Sequence, residues 1–157
     1  MTLAIGDPAP PFDVTSSDGK RLSLADFAGK KQVVLYFYPK DDTPVCTAEA
    51  CGFRDMYEDL MASDTEVIGV STDDDRSHKG FAARYRVPFP LVADPERKLM
   101  AAYGAEAEGL ARLLGGTKRV TFVIDKAGRI AGVFDSRFFA RDHLDGVKET
   151  IARLRAS

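Results

Sequence analysis

Two cysteines, Cys46 and Cys51, stand five residues apart in a chain of 157 residues, and their setting makes them the first candidates for chemistry. Thr43 followed by Pro44 reads as a helix start. The threonine hydroxyl can accept from an unpaired backbone N–H, and proline fits the first helical position because no donor is needed there. Cys46 then falls in the first helical turn, where free amides and the positive end of the helix dipole favour an anionic thiolate, the nucleophilic form of cysteine. The competing reading is a small buried apolar residue, which a free cysteine often is.

Cys51 weighs against that competitor. On an unbroken helix, two residues five apart have Cα atoms about 8.7 Å from each other, whereas a disulfide needs them within about 7 Å. A Cys46–Cys51 bridge therefore requires the first turns to unwind. Such a spacing suits a nucleophile held away from a resolving partner until it is oxidised. A dithiol of the C-x-x-C kind would bridge without that rearrangement.

Other chemistries fit less well. A zinc site would need two more ligands, and the two histidines, His78 and His143, are far apart and lack paired spacing. Each reads as a solvent-facing or hydrogen-bonded helix residue. Asp73, Asp74 and Asp75 resemble a cation site but read as a solvated helix cap. Gly104 and Gly109 have phosphate-loop spacing, yet Leu110 and Ala111 stand where lysine and a hydroxyl residue are required.

The elements that must hold the cysteines follow from periodicity. Phe12 to Val14 and Leu22 to Leu24 flank Asp18-Gly19 and predict an N-terminal β-hairpin. The run Gln32–Phe37 is continuously apolar, as expected of a central strand covered on both faces. Residues 66–71 and Leu91–Ala93 predict further strands, and Val120–Ile124 with Ile130–Phe134 a second hairpin. Helices are expected over Pro44–Ala62, over 77–87 ending at Pro88, over 95–103 with Gly104 as a left-handed cap, and from an Asp142 cap through Leu144, Val147, Ile151 and Leu154. Residues 105–117 receive no assignment. Strands alternating with helices predict an α/β fold with a central mixed sheet between helices, whose working groups lie at the carboxyl ends of the strands. Cys46 follows the first such strand.

Composition bounds the rest. A chain of 17.1 kDa with 45% hydrophobic and 29% charged residues predicts one globular domain over 1–157. A net charge of −2 offers no basic field for nucleic acid or anionic lipid, so neither is expected as a partner. No signal-like segment or bilayer-length apolar run is visible. A cytoplasmic location is expected, and reducing cytosol favours catalytic over structural cysteine pairs.

Taken together, Pro39, Thr43 and Cys46 form the P-x-x-x-T-x-x-C signature, and the chain here resembles the peroxiredoxins. The text from Tyr36 to Pro44 with Cys46, Thr47, Glu49 and Cys51 is similar to their Q-type, or bacterioferritin-comigratory-protein, subgroup. The likeness continues through Val67 to Ser71, Ser77-His78, Phe89-Pro90-Leu91, Tyr103-Gly104 and Arg119 to Asp125.

That resemblance implies a thioredoxin-like fold and a thiol peroxidase without metal or organic cofactor. It implies that Cys46 is the peroxidatic and Cys51 the resolving cysteine, that Thr43 and Arg119 hold and polarise the peroxide, that Pro39 shields the pocket, and that Glu49 helps orient the arginine. The substrate would be hydrogen peroxide or an organic hydroperoxide, and thioredoxin or a similar dithiol would restore the thiols. A monomer is the default, since resolution within one chain needs no partner cysteine. Val45 stands where the subgroup often has glycine, so the backbone there must take negative φ. The principal rival is a thiol–disulfide oxidoreductase acting on protein disulfides, which predicts C-x-x-C and, by resemblance to thioredoxins, a proline just before the strand beside the site. Here that stretch is Thr117-Lys118-Arg119-Val120. A second rival is a non-catalytic module with inert thiols.

Overall fold

The computed structural model describes residues 3–106, 117–135 and 140–156. Chain order is β1 (Asp13–Thr15), β2 (Arg21–Ser23), α1 (Leu24–Phe27), β3 (Gln32–Phe37), α2 (Pro44–Ala62), β4 (Thr65–Ser71), α3 (Asp75–Tyr85), β5 (Leu91–Ala93), α4 (Lys98–Tyr103), β6 (Val120–Ile124), β7 (Ile130–Phe134) and α5 (Ala140–Ala156). Strands β1 and β2 form the expected N-terminal hairpin. The main sheet has order β5-β4-β3-β6-β7, with β3, β4 and β5 parallel and β6 and β7 antiparallel to their neighbours. It is the mixed sheet of a thioredoxin-like fold.

Every residue of β3 is buried, which its unbroken apolar run requires of a central strand. Because side chains alternate, the strand serves two cores. Val33, Leu35 and Phe37 join Ile68, Val70, Phe122 and the α4 residues Met100 and Tyr103 on one face. Val34, Tyr36 and Tyr38 join Cys46, Ala50 and Phe53 of α2, Phe81 of α3, and Val147 and Ile151 of α5 on the other. The functional helix thus lies in the layer formed by α2, α3 and α5. A Cβ on Gly52 would collide with the Leu144 side chain, so the missing side chain lets α5 approach α2 closely.

Helix boundaries depart from the periodic reading for local reasons. Helix α3 lies two residues earlier than 77–87. Asp74 caps it by accepting from the Ser77 amide, and Arg86 ends it in the left-handed region at φ 53°. Val87, preceding Pro88, could not have continued it. Helix α4 begins at Lys98 rather than 95, because the Asp94 carboxylate takes the amides of Leu99 and Met100 at 3.3 and 2.9 Å. Gly104 caps its other end at φ 68°, as expected. Helix α5 already runs from Ala140, so Asp142 sits in its first turn instead of capping it, where its charge still suits the dipole. The single turn α1 carries no periodic signal and was not anticipated. Most of the unassigned stretch 105–117 lies outside the described residues. Its edges meet in a bridge between Glu106 and Thr117.

Candidate active site

The site forms where β3 delivers the chain into α2. Tyr38 follows the strand and remains buried, whereas Pro39 and Lys40 are exposed. Asp42 takes φ 64°, and this turn brings the Lys40 carbonyl within 2.9 Å of Thr43 Oγ1, which donates to it. Thr43 is therefore the N-cap residue by position, but its hydroxyl caps no amide. The expected capping bond is replaced by one that closes the loop. Pro44 takes the first helical position as predicted. Val45 is absent from the residues with positive φ, as a first helical turn demands.

Cys46 follows in that turn, 1% exposed. Helix α2 is continuous through Cys51, which is half-buried, and both thiols are free. The bridge that an intact helix forbids is thus unformed, and the helix is intact.

Strand register supplies the partner. Antiparallel pairing sets Phe37 against Val120 and Tyr36 against Thr121. Arg119, one residue before Val120, consequently arrives beside the carboxyl end of β3, on the face shared with Thr121 and α2. Its Nη2 donates to Cys46 Sγ at 3.0 Å and its Nη1 donates to Glu49 Oε1 at 3.2 Å. Cys46 and Glu49 are three residues apart on α2 and so face the same way, and the fork of one guanidinium spans them. Arg119 is 7% and Glu49 0% exposed. An arginine at the start of a strand usually reaches solvent; here it is buried against two acids.

Burial pushes the Glu49 carboxyl up to about 8, against the pull of the adjacent guanidinium. Its second oxygen, Oε2, is buried without a hydrogen-bond partner and lies 3.4 Å from His143 Nδ1 of α5. His143 Nδ1 is also 2.8 Å from Thr121 Oγ1.

A second polar network pins the loop from behind. Tyr38 donates its hydroxyl to Asp41 Oδ1 at 2.6 Å, Ser77 Oγ donates to Asp41 Oδ2 at 2.8 Å, and His78 Nδ1 lies 2.8 Å from that same oxygen. The Asp41 amide donates to Asp73 Oδ2 at 2.7 Å, which Ser71 Oγ also reaches at 2.8 Å. Burial raises the Asp41 carboxyl, but the hydrogen bonds from His78 and Tyr38 outweigh it and hold the group below the usual carboxylate range. Asp41, Asp73 and His78 place ligand-type atoms within 4.8 Å of one another; His78 pairs with the Asp41 carboxylate, and Asp73 accepts from the Asp41 amide and the Ser71 hydroxyl. Of the three aspartates considered as a cation site, Asp74 caps α3 and Asp73 belongs to this network.

The structure therefore joins Cys46, Arg119 and Glu49 directly, sets Thr43 at the helix entrance and Cys51 on the next turns, and leaves Pro39 exposed on the loop. Sequence reasoning missed His143 and the Asp41–His78 pair. Both histidines are fully buried, so the solvent-facing alternative does not hold and the hydrogen-bonded one does. For His143 a signal existed: Val147, Thr150 and Ile151, buried with it on α5, lie four, seven and eight residues on, the spacing of one helical face.

A model of the AhpC/TSA family matches residues 5–133. The chloroplastic peroxiredoxin Q of Populus jackii is 42% identical over 151 residues, covering 96% of this chain and 68% of the relative. Among solved structures, peroxidoxin BcpB from Mycobacterium tuberculosis matches with a TM-score of 0.85 at 33% identity, covering 98% of this chain and 97% of that one. The bacterioferritin comigratory protein of Xanthomonas campestris, described for its alkyl peroxide reduction activity, matches with a TM-score of 0.81 at 30% identity, covering 92% and 90%. With the helix-start cysteine, its arginine and these likenesses in agreement, the chain belongs to the AhpC/TSA family as a peroxiredoxin of the Q or bacterioferritin-comigratory type, an enzyme that reduces peroxides with a cysteine thiol.

Proposed function

We propose that Cys46 is the peroxidatic residue and Cys51 the resolving one. The Cys46 thiolate attacks the terminal oxygen of hydrogen peroxide or an organic hydroperoxide. A sulfur–oxygen bond forms, the oxygen–oxygen bond breaks, and the departing oxygen takes a proton to leave as water or alcohol. Negative charge moves from sulfur to that oxygen during the step. A donor already placed there lowers the barrier because it needs no reorganisation. The observation that carries this reading is the buried Arg119 Nη2, 3.0 Å from Sγ in the first turn of α2. Thr43 serves as a second donor at the mouth once its hydroxyl turns from the Lys40 carbonyl, Pro39 shields the pocket on the solvent side, and Glu49 steadies the guanidinium.

Cys46 sulfenic acid is then met by Cys51. Sulfur attacks sulfur, water leaves, and an intramolecular disulfide closes after the first turns of α2 unwind. Thioredoxin or a similar dithiol reduces it by exchange. The protein acts as a monomeric single domain in the cytoplasm, and among the described residues no helix is long and apolar enough to cross a membrane. The test is peroxide consumption under a dithiol reductant: Cys46→Ser should consume none, and Cys51→Ser should react once and then stall. Full consumption by Cys46→Ser would reverse the assignment.

A further inference from the structure

Glu49 uses only half of its carboxyl on Arg119. Oε1 takes the Nη1 donor, whereas Oε2 is sealed from solvent without a hydrogen-bond partner, 3.4 Å from His143 Nδ1. The other arm of the guanidinium goes to Cys46. One positive charge thus bridges two acids inside the protein. It can compensate a single anion, and a second anion sealed away from water would be heavily penalised. The groups facing Glu49 are Arg119 at the head of β6, Cys46 on its own helix, His143 on α5, itself bonded to Thr121 of β6, and the Tyr36 hydroxyl of β3 within electrostatic reach.

We infer that Cys46 and Glu49 share one ionisation across Arg119: in the reduced protein Cys46 is the thiolate and Glu49 holds a proton on Oε2, and Glu49 surrenders that proton when oxidation removes the charge from sulfur. This rests on the reading that Cys46 attacks peroxide and Cys51 resolves it. A carboxylic acid at Oε2 buries no charge there, whereas a bare carboxylate would bury one whose second oxygen accepts no hydrogen bond. Burial drives the Glu49 carboxyl in the same direction.

Proton bookkeeping makes the inference testable. Converting a thiolate, a thiol and one peroxide into a disulfide, alcohol and water requires one proton. If Glu49 supplies it, the solution supplies none. Reduced protein in weak buffer with a pH indicator, near pH 7, is mixed with stoichiometric hydrogen peroxide, and the disulfide is counted by mass. Wild type should take up about no protons per disulfide, and Glu49→Gln about one. Equal uptake in the two proteins, at either value, would overturn the inference, because Glu49 would then hold the same charge before and after. Should Glu49→Gln not fold, infrared spectroscopy of wild type decides. The carbonyl band of a protonated carboxylic acid should be present when reduced and lost on oxidation, and its absence from the reduced protein would contradict the assignment. If no Cys46–Cys51 disulfide forms, the peroxidase mechanism fails by that result alone. The infrared band of the reduced protein still decides the inference about Glu49.

Discussion

Arg119 donates a hydrogen bond to the sulfur of Cys46 across 3.0 Å although 73 residues separate them in the chain. Two ordinary features produce that contact. A helix begins at Pro44, and an antiparallel register sets Val120 against Phe37. Neither Glu49 nor Cys46 could remain buried in an ionised state without the guanidinium between them.

Replacing Arg119 by lysine keeps the charge but loses the fork that reaches both acids. The second-order rate of Cys46 oxidation should fall by roughly 10²-fold, in the range seen when one charge-stabilising donor is removed. Stopped-flow competition for hydrogen peroxide measures it. A rate within a factor of two of wild type would show that bidentate geometry is unimportant here.

The Asp41 network should matter for stability more than for chemistry. Removing the shared acceptor of a buried set leaves its donors unsatisfied at a cost of about 3 kcal/mol, so Asp41→Ala should lower Tm by about 10 °C for a chain of this size. The Asp41 carboxyl is held below its usual range in the fold. Its contribution is therefore fully present above the ordinary carboxylate value and is lost as pH falls through the depressed one. Thermal melts of wild type and Asp41→Ala should converge in strong acid and separate toward neutral pH.

Glu49 has the opposite sign. With its folded value raised from 4.5 to about 8, the protein binds a proton that the unfolded chain does not. That group's contribution is complete below 4.5 and disappears as pH rises through about 8. Denaturant titrations should show wild type losing stability over that window relative to Glu49→Gln, which has nothing to ionise. Parallel pH curves for the two proteins would contradict the raised value.

Tyr36 offers a stability gain. Its hydroxyl is buried without a hydrogen-bond partner, while its ring packs 4.9 Å from Phe53 and 5.4 Å from Tyr38, centroid to centroid. Tyr36→Phe keeps the packing and removes an unsatisfied donor, so stability should hold or rise by about 1 kcal/mol. Chemical denaturation with an unchanged m-value checks it.

Much of this was legible in the sequence, and the parts that were not share a cause. The buried run at β3, the Thr43-Pro44 start and the span of α2 are local signals. Each is carried by neighbours in the chain and survives folding unchanged. Arg119 could be placed only through resemblance, because its meeting with Cys46 depends on the register of β3 with β6, which no single segment encodes. His143, Asp41 and His78 were underestimated for the same reason. A polar side chain on a helix or loop looks solvent-bound until its acceptors arrive from elsewhere in the fold. The Thr43 hydroxyl was assigned the wrong partner because the φ of Asp42, 64°, cannot be read from residue types alone, and it is that turn which brings the Lys40 carbonyl within reach.

The direct measurement is the mass map of the product after reduced protein meets one equivalent of hydrogen peroxide. A disulfide joining Cys46 to Cys51 should account for nearly all of the material, with Cys51→Ser trapping oxygen on Cys46 alone. If peroxide instead leaves Cys46 as a free thiol, or places the first oxygen on Cys51, the helix-start cysteine is not the nucleophile.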